Sequence, residues 1–205
     1  MVNLVATLIL GDLSTNCYIL NIDSSNSVIV VDPAESKEVL DFCEKNNWKI
    51  KYIIFTHGHY DHILGALEIK KATNATLVCG RKESEMLKDP LLSCSEIAGK
   101  GKYSLTCDIL LDDNEDFMDM KIIYTPGHTS GGISLAANGF VLTGDTLFAG
   151  SIGRSDLPGG DYGKLILSIK ERLFSLPYNF IVYPGHGPQS SIGFEKKNNP
   201  FLIGV

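Results

Sequence analysis

Three of the chain's five histidines fall within seven residues, "THGHYDH", Thr56 to His62, together with an aspartate. Neutral imidazole is the commonest side-chain metal ligand, and carboxylate joins it on zinc, iron and manganese. His57, His59 and Asp61 alternate, so an extended or tightly turned loop aims them the same way, while His62 directly after Asp61 cannot follow that direction. One ion would struggle to use all four groups. Two ions are the natural solution, with His57 and His59 on one and Asp61 and His62 on the other. No thiolate joins the set, which argues against a closed structural zinc site. The other two histidines, His128 in "PGHTSGG" and His186 in "PGHGP", each follow a glycine far along the chain. Ordinary hydrogen-bonding loop histidines would not be expected to gather in this way.

The elements that must position these groups are short apolar runs rich in Val, Ile and Tyr, each closed by turn residues: "NLVATLIL", "CYILNI", "SVIVVD", "KYIIFT", "ATLVCG", "MKIIYT", "GISLAA", "GFVLTGD" and "NFIVYPG". Val39, Phe42 and Cys43 repeat at helical spacing, as do Leu165, Ile169 and Leu173, and a third helical pattern pairs Ile63 with Leu67. Hairpin-like strands come first, then strands alternating with helices, then more strands, a helix and a final strand. This order suits two sheets packed face to face with helices outside, an α+β protein. The loop from His57 to His62, then His128, Asp145 and His186, each lie just past a predicted strand. Loops held by a rigid sheet edge are where sites are built, so these four are expected to converge on one rim.

At 205 residues the chain is expected to be one domain, 1–205, and its 44% hydrophobic, 20% charged composition is that of an ordinary globular protein. A net charge of −6 and basic runs as short as "EIKK" and "EKKNN" argue against a nucleic-acid partner; both runs read as solvated faces. Five cysteines without a C-x-x-C pair do not form a secreted disulfide framework. Cys17, Cys43 and Cys79 read as small core residues, and Cys94 and Cys107 lie in a less readable stretch, 89–108, expected at most to border the mouth of the site. The apolar opening lacks a basic leader and reads as a strand, no stretch has the length of a membrane span, and a reducing cytoplasm is the expected location.

In order and spacing, "THGHYDH", "PGHTSGG", "LTGDTLF" and "YPGHGP" resemble the motifs of metallo-beta-lactamase-fold hydrolases over nearly the whole chain. The segment "FAGSIGRSDLPGGD" and the tail "GHGPQSSIGFEKKNNPFL" look closest to a short glyoxalase-II-like branch. The resemblance implies an αββα four-layer sandwich with the site along one edge. It implies His57, His59 and His128 on one divalent ion, Asp61, His62 and His186 on a second, and Asp145 bridging both. Zinc is the first expectation for the metal, with iron or manganese also fitting. Asp32, in "VVDPA", matches an early family aspartate and is expected to accept a hydrogen bond from the histidine loop and orient it. Gly58, Gly127, Gly144 and Gly185 are expected to permit tight turns beside the ligands, and Asn16 to tie the first hairpin.

The implied reaction is hydrolysis of a thioester such as S-lactoylglutathione by a hydroxide shared between the ions. Asp145 would fix their spacing, and Asp61 would also accept a hydrogen bond from the attacking water. Arg154 is expected either to receive a substrate carboxylate or to pair with Asp156. Longer glyoxalase II enzymes hold glutathione with a C-terminal helical region, which is not expected here because the sequence stops soon after "NNPFL". Persulfide dioxygenases look similar, and imply instead a single iron on His57, His128 and Asp145. A non-catalytic metal-binding scaffold is the third reading, against which the complete ligand set speaks. The partner expected is a small molecule, with no membrane; the oligomeric state is not legible.

Overall fold

The computed structural model describes residues 2–22 and 26–203; the ends of the expected domain, residue 1 and residues 204–205, lie outside them. The alternation within single strands explains the layering. In β3 (Ser27–Val31) and β4 (Lys49–Phe55), Ile29, Val31 and Ile54 point one way, while Val28, Val30, Ile53 and Phe55 point the other. A strand apolar on both faces must be covered on both. The first set meets a second sheet, where Ile122, Tyr124, Leu135 and Leu142 complete a central core. The second set meets helices α1 (Lys37–Lys45) and α3 (Ala66–Thr73) through Val39, Cys43, Ala66 and Ile69.

Among the described residues one sheet runs in the order β1 (Asn3–Leu10), β2 (Thr15–Asn21), β3, β4, β5 (Thr76–Gly80), β6 (Ile109–Leu111). The other runs β14 (Ser190–Ser191), β13 (Ile181–Pro184), β10 (Phe140–Gly144), β9 (Ile133–Ala137), β8 (Met120–Tyr124), β7 (Asp116–Phe117). A small ribbon pairs β11 (Leu147–Phe148) with β12 (Ser151–Ile152). The first sheet is parallel from β3 to β6, and β10 pairs with β13 in parallel. Leu165, Ile169 and Leu173 are fully buried against the second sheet. They lie on one continuous helical run that begins as α5 (Tyr162–Leu167), widens over Ser168–Arg172 and tightens over Leu173–Ser175. The four layers are thus helix, sheet, sheet, helix, the sandwich that the strand order implied, in a single domain.

The third helical pattern differs from expectation. Ile63 closes a one-turn helix, α2 (Tyr60–Ile63), and Leu67 faces solvent on α3, whose buried positions are Ala66 and Ile69. The break falls at Gly65, whose N–H donates to the Pro33 carbonyl at 2.9 Å. A Cβ there would stand 2.4 Å from the Glu35 carbonyl carbon. The solvated reading of "EKKNN" also fails at Glu195. Its buried carboxylate accepts from the Gly150 N–H at 3.0 Å and the Asn199 amide at 2.7 Å. The run lies on α6 (Ile192–Asn198), where the lysines face outward and Glu195 inward. The five cysteines are free, and no described helix is long and apolar enough to cross a membrane.

Candidate metal centre

Each strand end delivers its group to one edge of the sandwich. From β4 the chain turns through Thr56 to His59 and enters α2, burying His57, His59 and His62. His128 follows β8, Asp145 follows β10, and His186 follows β13. The second sheet's loops cross to the first through Asn16 on β2, whose amide donates to the carbonyls of Pro184 and Gly187, both at 2.9 Å. Tyr18 adds its hydroxyl to the Pro184 carbonyl at 2.6 Å. Asn16 therefore ties the hairpin, as expected, but to the His186 loop. Gly185 has to be glycine: a Cβ would lie 2.1 Å from Asp145 Oδ1 and 2.8 Å from His62 Cε1.

The structure brings all seven expected groups together. An ion bound by nitrogen and oxygen at 2.0–2.1 Å sets neighbouring tetrahedral ligand atoms about 3.3 Å apart. Asp61 Oδ2, His62 Nε2 and His186 Nε2 form a triangle with edges of 3.4, 3.3 and 3.2 Å. Ligand atoms of His57, His59 and His128 form a second group within 4.8 Å of one another, His59 Nδ1 and His128 Nε2 being 2.8 Å apart. Between the groups stands Asp145. Its Oδ1 is 3.4 Å from His62 Nε2, and its Oδ2 is 3.5 Å from His186 Nε2 and 3.6 Å from His128 Nε2. His57 Nε2, His59 Nε2 and Asp145 Oδ1 are buried without a hydrogen-bond partner. Orphaned polar atoms are rare in folded proteins, and electron-pair donors gathered this closely fit divalent metal.

The other ring nitrogens of His57, His62, His128 and His186 are engaged, which fixes the orientations of those four rings. Thr56 Oγ1 lies 3.0 Å from His57 Nδ1, the Arg154 carbonyl 2.7 Å from His128 Nδ1, and the Leu13 carbonyl 3.0 Å from His186 Nδ1. Asp32, in a left-handed conformation at φ 54°, takes the Thr56 N–H on Oδ1 at 2.8 Å. Its Oδ2 receives the Thr56 hydroxyl at 2.6 Å and faces His62 Nδ1 at 3.0 Å. Although Asp32 lies near His57 and His62, both its oxygens are occupied, so it supports the loop and leaves the ligand atoms free.

Electrostatics divides the centre in two. Burial pushes His57 far below the usual imidazole range and His59 down to about 3, each helped by neighbouring histidines, and burial also lowers His128. These rings are neutral donors. Burial likewise opposes a charge on His62, but Asp61, Asp145 and Asp32 outweigh it and lift the group to about 9. For His186 burial is outweighed by hydrogen bonds to Asp145 and Asp61, which raise it to about 10. Both carboxyls, against their own burial, are held below the usual carboxylate range chiefly by His62, with His186 adding to the effect.

Arg154 forms a two-pronged pair with Asp156, Nε to Oδ1 at 2.7 Å and Nη2 to Oδ2 at 2.8 Å, at the rim of a cavity over the metal groups. Residues 89–108 border that cavity through Cys94, Ile97 and Ala98. Glu83, just before the short helix α4 (Ser84–Lys88), is a residue that sequence reasoning passed over. Fully buried, it accepts the Gly58 N–H at 2.9 Å on one oxygen, and the Thr129 hydroxyl at 3.1 Å and Gly131 N–H at 2.9 Å on the other. It clamps the His57–His59 turn to the His128 loop.

The model of the metallo-beta-lactamase superfamily matches residues 10–186. A probable metallo-hydrolase of Streptococcus pyogenes is 33% identical over 200 residues, covering 90% of this chain and 84% of that protein. Hydroxyacylglutathione hydrolase GloC of Haemophilus influenzae is 31% identical over 198 residues, covering 91% of this chain and 92% of that protein. Among solved structures, the BLEG-1 B3 metallo-beta-lactamase aligns with a TM-score of 0.91 at 30% identity over the whole of both chains. A di-iron-bound protein, TTHA1623, aligns with a TM-score of 0.86 at 27% identity over 97% of this chain and 100% of that one. The chain belongs to the metallo-beta-lactamase superfamily, as a metallo-hydrolase.

Proposed function

We propose that this metallo-hydrolase is a dinuclear thioesterase whose reference substrate is a glutathione-type thioester such as S-lactoylglutathione. The observation that carries the reading is the pair of ligand groups on either side of Asp145, one of them with edges of 3.2–3.4 Å. His57, His59 and His128 would hold one ion, Asp61, His62 and His186 the other, and Asp145 would span them. Zinc suits these ligands, and so do iron and manganese. Two such ions, when bound, lower the pKa of a shared water from about 15.7 to near 7 and polarise an acyl carbonyl.

The side chains do the rest. Thr15 Oγ1 donates to Asp61 Oδ2 at 3.2 Å and holds the carboxylate, to which we assign the hydrogen bond from the attacking water. Water oxygen bonds to the carbonyl carbon, the carbon–sulfur bond breaks, and the thiolate takes up the proton released. A thiolate with a conjugate pKa near 8.5 leaves with little acid assistance, so no further proton donor is required. No protein nucleophile takes part. Similarity to a hydroxyacylglutathione hydrolase over nine-tenths of both chains supports the thioester.

The "LPGGD" stretch and the tail with "NPFL" resemble the hydrolase branch more closely than they do a single-iron persulfide dioxygenase, which uses only His57, His128 and Asp145 and can retain the second ligand group. Purified protein, incubated with S-lactoylglutathione before chelation, after it, and after metal is restored, tests the proposal. Turnover that chelation abolishes and metal restores is expected, with about two ions per chain. Oxygen consumption on a persulfide with one iron per chain would replace it, and hydrolysis confined to a β-lactam would move the activity to the chemistry named for the BLEG-1 structure.

A further inference from the structure

Two clefts of opposite character meet at Asp61. One, of about 300 Å³, opens directly over His59, His128, Asp145 and His186. Its apolar wall includes Leu13, Cys94, Ile97, Ala98, Leu157 and Pro158. The other, of about 430 Å³, shares Leu13, Tyr60 and Asp61 with the first and continues over Asp12, Glu35, Ser36, Lys37, Glu68 and Lys100. Asp61 and its neighbours form the ridge between an apolar chamber and a polar one.

Arg154, at the wall of the apolar chamber, is already shared with Asp156 at 2.7 Å. Leu13 and Ile97 remain 51% and 70% exposed at its rim, which folding alone does not require. A cavity of this size lined by aliphatic side chains suits an apolar ligand, and a three-carbon hydroxyacyl group would leave most of it filled by water. In the polar cleft Lys100 pairs with Asp12 at 2.6 Å and Lys37 with Asp41 at 2.5 Å, and the Ser36 hydroxyl donates to Glu68. Acidic groups outnumber the two lysines there, Asp12, Glu35, Glu38 and Glu68 against Lys37 and Lys100, which suits the ammonium end of a zwitterionic thiol carrier.

Resting on the thioester reading and narrowing it, we infer that the substrate's acyl group is a longer aliphatic or aryl chain that seats against Ile97, Ala98, Leu157 and Pro158. The thiol carrier lies across the ridge in the polar cleft. The products are then an apolar carboxylate and a free thiol. Each methylene placed against such a wall contributes severalfold to kcat/KM.

The experiment uses metal-loaded protein and acyl-glutathiones that differ only in the acyl chain. From S-acetyl- to S-hexanoylglutathione, kcat/KM is expected to rise at least tenfold. Ile97→Asp, at an exposed position, is expected to raise KM for S-hexanoylglutathione at least fivefold more than for S-acetylglutathione, flattening that rise. A flat or falling series overturns the inference, as does an Ile97→Asp variant that affects both substrates equally. Titration with S-hexylglutathione and S-methylglutathione, thioethers that no hydrolase cleaves, separates this inference from the reaction itself. At least tenfold tighter binding of the hexyl compound, lost in Ile97→Asp, supports the chamber even where no thioester is turned over, an outcome that would remove the hydrolase reading alone. Equal binding of the two overturns the chamber assignment even where S-lactoylglutathione is hydrolysed.

Discussion

At the scale of single residues, the division between neutral and charged histidines has a consequence for stability. His62 and His186 carry folded-state values of about 9 and about 10, against about 6.5 in an unfolded chain. Their favourable interactions are fully present below pH 6.5 and are lost as pH rises through 9 to 10. Metal-free protein should therefore melt at progressively lower temperature between pH 6.5 and 10. Metal binding displaces those same protons, so metal-loaded protein should gain stability over that interval. Thermal denaturation with chelator and with metal, at pH 6, 8 and 9.5, checks both signs, and parallel curves would contradict the charge division. Asp32→Asn provides the second residue-scale prediction. An amide presents only one oxygen where Thr56 and His62 now use two, so metal affinity should fall about 10- to 100-fold. Competition with a chromophoric chelator measures it, and unchanged affinity would place the orientation of His62 elsewhere.

The elements show what a sequence reveals and what it conceals. Runs such as "SVIVVD" and "GFVLTGD" are visible because three or four consecutive apolar residues closed by turn residues have few alternatives to a buried strand. Ile109–Leu111, Asp116–Phe117 and Ser190–Ser191 are too short to show a period, and they exist only because a longer strand lies beside them. The ligand groups were legible because four of the seven are consecutive or nearly so, and the rest repeat a strand–glycine context. Glu83 was not. In "RKESE" it looks like any solvated acid, and its partners lie 25 to 48 residues away. Burial raises it to about 7, against the three donors that favour its charge. Glu83→Ala would leave the Gly58 and Gly131 N–H groups buried and unpaired, at about 1–3 kcal/mol each. We expect a loss of about 2–4 kcal/mol in denaturant unfolding, and a fall in metal-dependent turnover as the two histidine loops separate. Full activity together with wild-type stability would show that water replaces the carboxylate without cost.

For the whole molecule the decisive fact is that each ligand group draws on both sheets. His57 and His59 come from the loop after β4 and His128 from the loop after β8, while Asp61 and His62 meet His186 from the loop after β13. An ion in either position is thus a cross-link between the two halves of the sandwich, added to the shared core of Ile29, Ile54, Ile122 and Leu142. That core is continuous and should keep the metal-free chain folded. The ions add stability by binding the native state alone, about 2.7 kcal/mol for a single site at a free concentration 100 times its Kd. In a domain of this size 1 kcal/mol shifts the melting temperature by about 2–4 °C, so chelation should lower it by about 5–11 °C per site without adding a second transition. Calorimetry on loaded and stripped protein reads both features. A separate early transition in the stripped protein would mean that the two sheets unfold independently once uncoupled, and an unchanged melting temperature would mean that the ligand groups hold no ion across them.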